Sequence, residues 1–514
     1  MALLQNLLTT VSKMSSWTLL LSIIGLFPVC LALYRLFLHP LSHIPGPWFA
    51  CISSAFLHII CYQGTESRVF AHYHRKYKSP VLRIAPNSVS VSDGAALHTI
   101  YVAGGGLPKD SRYRNFRIEG HETIFSSINP AFRDLRAKAV LPLFAPSRIR
   151  TSGENNGAIQ QSVEKFVALL EKEKQEACQG RGNHHRVDIL DLTSKLSIDI
   201  LTGYLFDKVY GGLNEHDNNN KMNIGSSVPK HKRLSATPFV LAIVAFSRFS
   251  LLPNWIFTIV FSIWFRVAMR ETDLVVSLGK VESFMNELMA ETETQLGRPG
   301  VSMEETRSQC KGVMFAGADS TALVQSTILF HLIQQPAVLT RLKAEVEGTT
   351  PSTELQSLPY LRAVFREGLR LALTNPTRMT RIVTTPDAKG INVSGFHLPP
   401  GTIVGAAPYI FHLNEEVFPD PLKFQPERWL EEKRDGPGES QLRALRDRDT
   451  FPFGLGGRIC LGRNLATYQV LSTTKAIVQS GVLEGARTCQ ERIEMIGWFN
   501  AEIKEHHLEI EWNS

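Results

Sequence analysis

The 514-residue sequence contains no CxxC pair and no HExxH, and its seven cysteines, at 30, 51, 61, 178, 310, 460 and 489, are odd in number and widely spaced. These absences exclude a disulfide framework and a structural zinc site, and they suit a reducing compartment. The pairs His184-His185 and His506-His507 have no partner motif and read as solvated. No block of Lys and Arg occurs, because the net charge of +7 is dispersed along the chain. That argues against nucleic-acid binding and leaves room for an acidic protein partner or an anionic membrane surface. Internal repeats and linker-like stretches are also missing. With 44% hydrophobic and 20% charged residues the composition is globular. The length allows two average domains or one large one.

What the chain does have begins with residues 17–34, WTLLLSIIGLFPVCLALY, eighteen positions without a charge. Extended through Leu36, Phe37 and Leu38, the segment approaches the ~20 residues that span a bilayer. Trp17 and Tyr34 stand at its ends, where interfacial aromatics are favoured. A cleaved signal peptide is the competing reading, but the apolar core is long and no A-x-A site follows. Lys13 before the span and Arg35 after it are too balanced to set an orientation. HPLSHIPGPW, residues 39–48, cannot continue a helix and reads as a stiff, extended hinge. The division expected is a tail over 1–16, an anchor helix over 17–38, the hinge over 39–48 and a single catalytic domain over 49–514.

Within the body, VLRIAPNSVSVSD (81–93) predicts two short strands around a Pro-Asn turn. Residues 160–206 carry helical periodicity with a polar break at 179–186, and NEHDNNNKMN (214–223) reads as a surface loop. The apolar region 236–265 is interrupted by Arg248 and Pro253-Asn254. A second membrane span therefore fits it less well than a helix pair that dips into a membrane surface or roofs an apolar pocket. A long helical pattern runs from 302 to 346.

The most informative stretch is FPFGLGGRICLG, residues 451–462. Gly457 and Gly462 have the GxxxxG spacing of a phosphate loop, but Arg463 and Asn464 follow where Lys and Ser/Thr would be required. What remains is one cysteine in a glycine-rich loop just before a helix. Glycines let backbone N–H groups approach the sulfur, and these together with a helix N-terminus favour the thiolate. A thiolate held this way is a good ligand for haem iron.

F-G-x-G-x-R-x-C-x-G at 453–462 resembles the haem-binding signature of the cytochrome P450 family, complete at every fixed position. The resemblance implies a mainly α fold with small β-sheets, one haem-containing domain behind an N-terminal transmembrane helix. It implies Cys460 as the iron ligand, with Phe453 and Gly454 beside the thiolate and Arg458 on a haem propionate. Three further segments are similar to the family's in the same order. E-x-x-R occurs at Glu367 and Arg370, one helical turn apart, and FQPERW (424–429) adds Arg428 as their buried partner. MFAGADSTA (314–322) resembles the distal oxygen-activating segment. There Ala316 and Gly317 would leave room for dioxygen, Asp319 would relay protons, and Ser320 stands where the family has its first Thr, followed by Thr321. Serine keeps the hydroxyl without the methyl that limits rotamers, which implies leakier proton delivery. A polar side chain there can also open the helix ladder. The family's propionate-contacting helix near residue 130 matches imperfectly: Arg133 stands where His is expected and Ala137 where Arg is, with Arg136 as a substitute. Arg381, in NPTRMTR, fits that role more comfortably.

By the same resemblance the chain is a monooxygenase that carries haem b and inserts one oxygen atom from O2 into a hydrophobic small molecule, by hydroxylation or epoxidation. The hinge sequence resembles filamentous-fungal enzymes of terpenoid, polyketide or alkaloid secondary metabolism. Electrons are expected from NADPH through NADPH–cytochrome P450 reductase, docking on a basic face that includes Arg133, Arg136, Lys138, Arg443, Arg446 and Arg463. The expected location is the endoplasmic reticulum membrane, single-pass, with the body in the cytosol. Loop 101–125, the 236–265 region, Phe315, Ala316, Thr377, Met379, Trp498 and Phe499 are the expected substrate contacts. Two other functions share the motif: a haem-thiolate isomerase or dehydratase that uses no external O2, and a non-catalytic haem carrier or sensor.

Overall fold

The computed structural model describes residues 16–154, 156–179, 186–216, 234–237, 248–250, 252–293, 302–349, 354–384, 389–430 and 438–512. Helices dominate these residues, and the strands form small sheets, the largest of four strands. The two expected strands are Val81–Ala85 and Ser88–Val91, antiparallel across Pro86-Asn87. Both are buried along their whole length, which a run of β-branched and small residues permits. Ile403–Ala406 adds in parallel to Ser88–Val91, and Arg381–Ile382 pairs antiparallel with it. A bridge between Lys109 and Arg381 continues that edge and brings two distant cations side by side.

The periodic region 160–206 forms helices Ala158–Cys178 and Ile189–Phe206 with the strand Arg186–Asp188 between them. Residues 180–185, including His184 and His185, lie outside the described residues, as do 217–223 of the polar stretch and 238–247 and 251 of the apolar one. What is described of the apolar region is the helix Asn254–Ala268. It buries Phe257 and exposes Trp255, Ile259, Ile263 and Val267.

The long helix runs Met303–Gln334, not to 346. Pro336 disfavours helical backbone at the residue before it. Gln335 accordingly takes φ −126° and ψ 79°, and a separate helix, Pro336–Val346, starts with the proline in its first turn. At the other end Ser302 caps the helix by accepting from the Glu305 amide. Among the described residues this is the helix long and apolar enough to cross a bilayer. Its burial against Ile189–Phe206, Pro359–Ala372 and Arg463–Ser480 accounts for that apolarity.

The N-terminal helix Ser16–Leu33 passes into a π-helical turn, Tyr34–Leu38. The hinge after it is turned and docked, not extended. Leu41 and Ile44 are buried in the cluster that includes Val81 and Val89, and this burial outweighs the extended preference of the prolines. Buried Arg83 donates to the Arg35 carbonyl at 2.7 Å, and Arg35 donates to the Ile52 carbonyl at 2.6 Å.

Candidate active site

The cysteine loop is shaped by its main chain. The Cys460 N–H donates to the Phe453 carbonyl at 2.9 Å, Gly454 to Phe451 at 2.9 Å, and Ile459 to Gly456 at 3.1 Å. Gly456 has a φ of +62°, and any Cβ there would collide with the Tyr101 carbonyl, so only glycine fits. Cys460 is exposed yet closely surrounded by protein. That enclosure pushes the thiol above its ordinary value, while the Gly462 and Arg463 amides and the Arg463 charge pull it down. The net direction is upward, and a bound metal cation would favour the thiolate against it.

Four cations come together near one another: Lys109, Arg133, Arg381 and Arg458. Lys109 is held well below its usual value by burial first and then by the three arginines. Arg458 is lowered by burial and by Arg133 and Arg381. Arg458 donates one guanidinium N–H to the Ser127 carbonyl at 3.0 Å, while its buried Nη2 has no partner among the described residues. Such a cluster is unfavourable unless anions enter it. A haem carries two propionates, and its iron takes a cysteine sulfur, so the residues present fit that group. Lys109 was not picked out from the sequence. Its only signal there is the Gly-rich turn before LPKD, and two of its three cationic neighbours, Arg381 and Arg458, are hundreds of residues away.

Arg136 is not among these cations. It forms a bidentate pair with Glu305 at the start of the long helix and stacks on Phe132, 3.4 Å from the ring centroid. Arg133 reaches the cluster and also pairs with Asp134 at 3.0 Å.

On the long helix, Ala316 is exposed, and Ser320 Oγ donates back to the Ala316 carbonyl at 2.6 Å. The helix is regular α throughout, so this back-bond is accommodated without opening the ladder. A Cβ at Gly317 would press on the Leu201 side chain, so this glycine lies where Ile189–Phe206 crosses the long helix. Thr321 is buried in the helix packing. Asp319 is raised to about 6, by burial first and the Glu502 carboxylate second, with His506 opposing. Among the described residues it makes no hydrogen bond or ion pair.

Glu367 and Arg370 are fully buried. They pair through two parallel contacts, Nε–Oε2 at 2.9 Å and Nη2–Oε1 at 2.8 Å. Arg428 Nε donates to Glu367 Oε1 at 3.1 Å, the Gln425 amide to Oε1 at 2.9 Å and Trp429 Nε1 to Oε2 at 2.9 Å. Arg370 then reaches the carbonyls of His412 and Pro421. His412 Nε2 accepts the Phe451 amide at 3.1 Å, so this network reaches the first residue of the cysteine loop. Burial and Arg370 hold His412 near 3, which keeps that nitrogen an acceptor.

Of the expected substrate contacts, Phe499 joins an aromatic group with Phe116 at 4.6 Å, Phe125 at 5.6 Å and Tyr113 at 6.3 Å between ring centroids. Thr377 is buried, and the Met379 sulfur lies beside Gly454. Trp498 is occupied elsewhere, because its indole N–H donates to the Tyr62 carbonyl at 3.0 Å and its face carries Arg248. Phe315 packs in the core with Leu201, Phe284 and Met285. Arg446 is no docking residue. It is buried and spends its donors on Val417, Arg428 and Glu439. Lys138 and Arg463 are exposed, and Arg443 reaches the Leu430 carbonyl.

Comparison with known proteins agrees with this geometry. The family model described as cytochrome P450 matches residues 45–491. The cytochrome P450 monooxygenase mfmF of Annulohypoxylon moriforme is 46% identical, over 94% of this chain and 97% of its own. The N-acetyltryptophan 6-hydroxylase ivoC of Emericella nidulans is 27% identical, over 95% of each. A crystal structure of a cytochrome P450 (CYP102L1) superposes with a TM-score of 0.61 at 16% identity, covering 88% of this chain and 98% of that one.

Proposed function

This chain belongs to the cytochrome P450 family of haem-thiolate monooxygenases, which hold haem b on a cysteine and draw NADPH-derived electrons through a reductase, and on that premise we propose how its own residues divide the work. Cys460 is the iron ligand, and Arg458, Arg381, Arg133 and Lys109 take the propionates. The observation that carries this reading is the buried, unpartnered Nη2 of Arg458 within a cluster of cations, on the same loop as an exposed cysteine. Bound there, haem supplies activation of dioxygen and transfer of one oxygen atom to a hydrophobic small molecule. Asp319 holds the proton for that step, and Ser320 presents a hydroxyl whose own proton is tied to the Ala316 carbonyl. The Phe116, Phe125 and Phe499 rings give the substrate an apolar, aromatic surface.

Asp319→Asn removes the titrating carboxyl while preserving shape. Oxygen incorporation should fall ~100-fold, the low end for loss of a general acid, with the thiolate-type spectrum of the reduced CO complex retained. The readout is accurate-mass comparison of metabolites in the producing host. A precursor one oxygen lighter than the lost product should accumulate both on gene loss and with this variant. An isomeric pair, indifferent to Asp319, would overturn the reading in favour of oxygen-independent chemistry. The relatives are fungal, which supports placing the substrate among secondary metabolites of terpenoid, polyketide or alkaloid type.

The same reading covers placement in the cell. The apolar helix Ser16–Leu33 and the exposed Trp48, Trp255, Ile259 and Ile263 are suited to a bilayer and its interface. We assign the endoplasmic reticulum membrane, with the body in the cytosol and NADPH–cytochrome P450 reductase as donor. Lys138, Arg443 and Arg463 belong to its docking face. Asn392 lies exposed in the hairpin Ile391–Val393/Phe396–Leu398, within the sequon Asn392-Val393-Ser394. In microsomes it should carry no glycan, read as no gel shift on glycosidase treatment. A shift abolished by Asn392→Gln would place the body in the lumen.

A further inference from the structure

We propose that Lys311 is a positioning residue for the substrate surface, tying the tip of the aromatic loop and a neighbouring helix to the long helix. The proposal rests on the reading above, in which the Phe116, Phe125 and Phe499 rings meet the substrate. The loop that carries Phe116 and Phe125 turns back on itself at residues 118–121. Ile118 and His121 exchange main-chain hydrogen bonds, at 3.2 and 2.9 Å, around Glu119 and Gly120. Those two central residues have φ of +52° and +82°, the positive pair that a tight two-residue turn selects. Left-handed backbone is unusual for a glutamate and persists where surrounding contacts hold it.

The long helix supplies those contacts from one stretch, residues 309–312. Gln309 grips the loop main chain twice: its Oε1 accepts the Ile124 amide and its Nε2 donates to the Glu122 carbonyl, both at 3.1 Å. A Cβ at Gly312 would stand 3.2 Å from Ile118 Cδ1, tighter than side chains usually pack, so the glycine lets the turn lie against the helix. Between them Lys311 is 1% exposed, and its Nζ takes two carboxylates, Glu119 at the loop tip and Glu282. Glu282 belongs to the helix Thr272–Glu293 and also pairs with Arg307. Val281, Phe284 and Met285 of that helix share a cluster with Met314 and Phe315, and Ile118 packs against it. Two carboxylates and two cations thus run in one chain, Glu119–Lys311–Glu282–Arg307, across three elements.

A buried ammonium is costly unless it is paired, so Lys311 draws both carboxylates to itself. Glu119 is 46% exposed, which makes the loop tip the member that can part and be hydrated. The base of the loop is fastened separately. There Lys109 Nζ donates to the Phe125 carbonyl at 2.6 Å and stands 4.1 Å from the Phe125 ring centroid. Phe116 lies between base and tip, so freeing the tip frees the ring that stands 4.6 Å from Phe499. Lys311 acts on the substrate through that ring.

The full-length, haem-loaded chain is compared with Glu119→Gln, Lys311→Met, their combination and Lys311→Arg. The first readout is hydrogen exchange over residues 111–125 by mass spectrometry, which needs no turnover. Glu119→Gln and Lys311→Met should each speed it ~10-fold, the size of one lost contact within a coupled network. The combination should exchange no faster than Lys311→Met, and Lys311→Arg should recover part of the protection. The second readout is the release of 4-phenylimidazole and of imidazole, followed by the haem spectrum. Phenylimidazole brings a ring to the aromatic surface and should leave ~10-fold faster in both single variants. Imidazole, which brings none, should leave at the parental rate. A lysine that merely supports the fold would lower the thermal midpoint without separating the two ligands, and that result overturns the proposal. Unaltered exchange over 111–125 also overturns it. Should Lys311→Met fail to fold, Glu119→Gln decides the question. Phe116→Ala checks the underlying reading separately: unchanged phenylimidazole release there would remove the rings from the substrate surface, whatever Lys311 does.

Discussion

Glu367→Ala should give a chain that neither holds its native fold at moderate temperature nor retains haem. One carboxylate here serves two guanidiniums, an indole N–H and a main-chain N–H, all removed from water. Deleting it leaves Arg370 and Arg428 as facing buried cations. Removing one partner of a buried pair typically costs ~3–5 kcal/mol, against a total folding stability of only ~5–15 kcal/mol. The damage also travels, because Arg370 fixes the His412 carbonyl and His412 fixes the Phe451 amide at the head of the cysteine loop. The same group leaves a pH signature. Burial alone would raise Glu367, but the hydrogen bonds and charges of Arg370, Gln425 and Arg428 bring it below the ordinary glutamate value. A depressed carboxyl contributes stability that is present above its unfolded value of ~4.3 and is lost as pH falls through the lower native value. Urea midpoints and haem retention measure both effects. A Glu367→Ala protein with the parental midpoint would show that the network is dispensable.

How much of this was readable beforehand depended on the range of each interaction. Glu367 and Arg370 stand three positions apart on one helix, so their pairing is local and the sequence displays it. The cysteine loop is likewise contiguous, and its glycines record the close approach of Tyr101. Lys109 was invisible because its neighbours Arg381 and Arg458 come from a sheet edge and a distant loop. Gly317 reads as space for a ligand, and a single sequence does not say that a helix crosses at that point and sets Leu201 against it. Trp498 and Phe499 looked alike as apolar residues. The indole N–H had to find an acceptor and turned to Tyr62, while the phenyl ring was free to join the aromatic group. Arg446 shows the same limit for charge, because a surface-type residue is buried wherever carbonyls happen to converge on it.

Cys460→Ala should abolish the thiolate-type spectrum of the reduced CO complex, and with it NADPH-driven oxygen incorporation, while the polypeptide stays folded. The two halves of that expectation have different causes. The loop is held by the Cys460, Gly454 and Ile459 amides and by His412, and none of these bonds uses the sulfur. Cys460 is exposed, so loss of its sulfur leaves no hole in the packed core, and a stability change within ~1 kcal/mol is expected for a substitution that touches no buried network. The spectrum, by contrast, depends on that atom alone. The other described cysteines lie outside the 451–462 loop: Cys30 in the N-terminal helix, Cys51 and Cys61 near the N-terminal end of the body, Cys178 at the end of helix Ala158–Cys178, Cys310 at the front of the long helix and Cys489 beside the C-terminal strands. None can substitute without moving an element. Folding stability measured beside the spectrum separates this outcome from that of Glu367→Ala, where both fail together. A thiolate-type spectrum that survived in Cys460→Ala would sink the ligand assignment, and with it the reading of the four cations as a cradle for propionates.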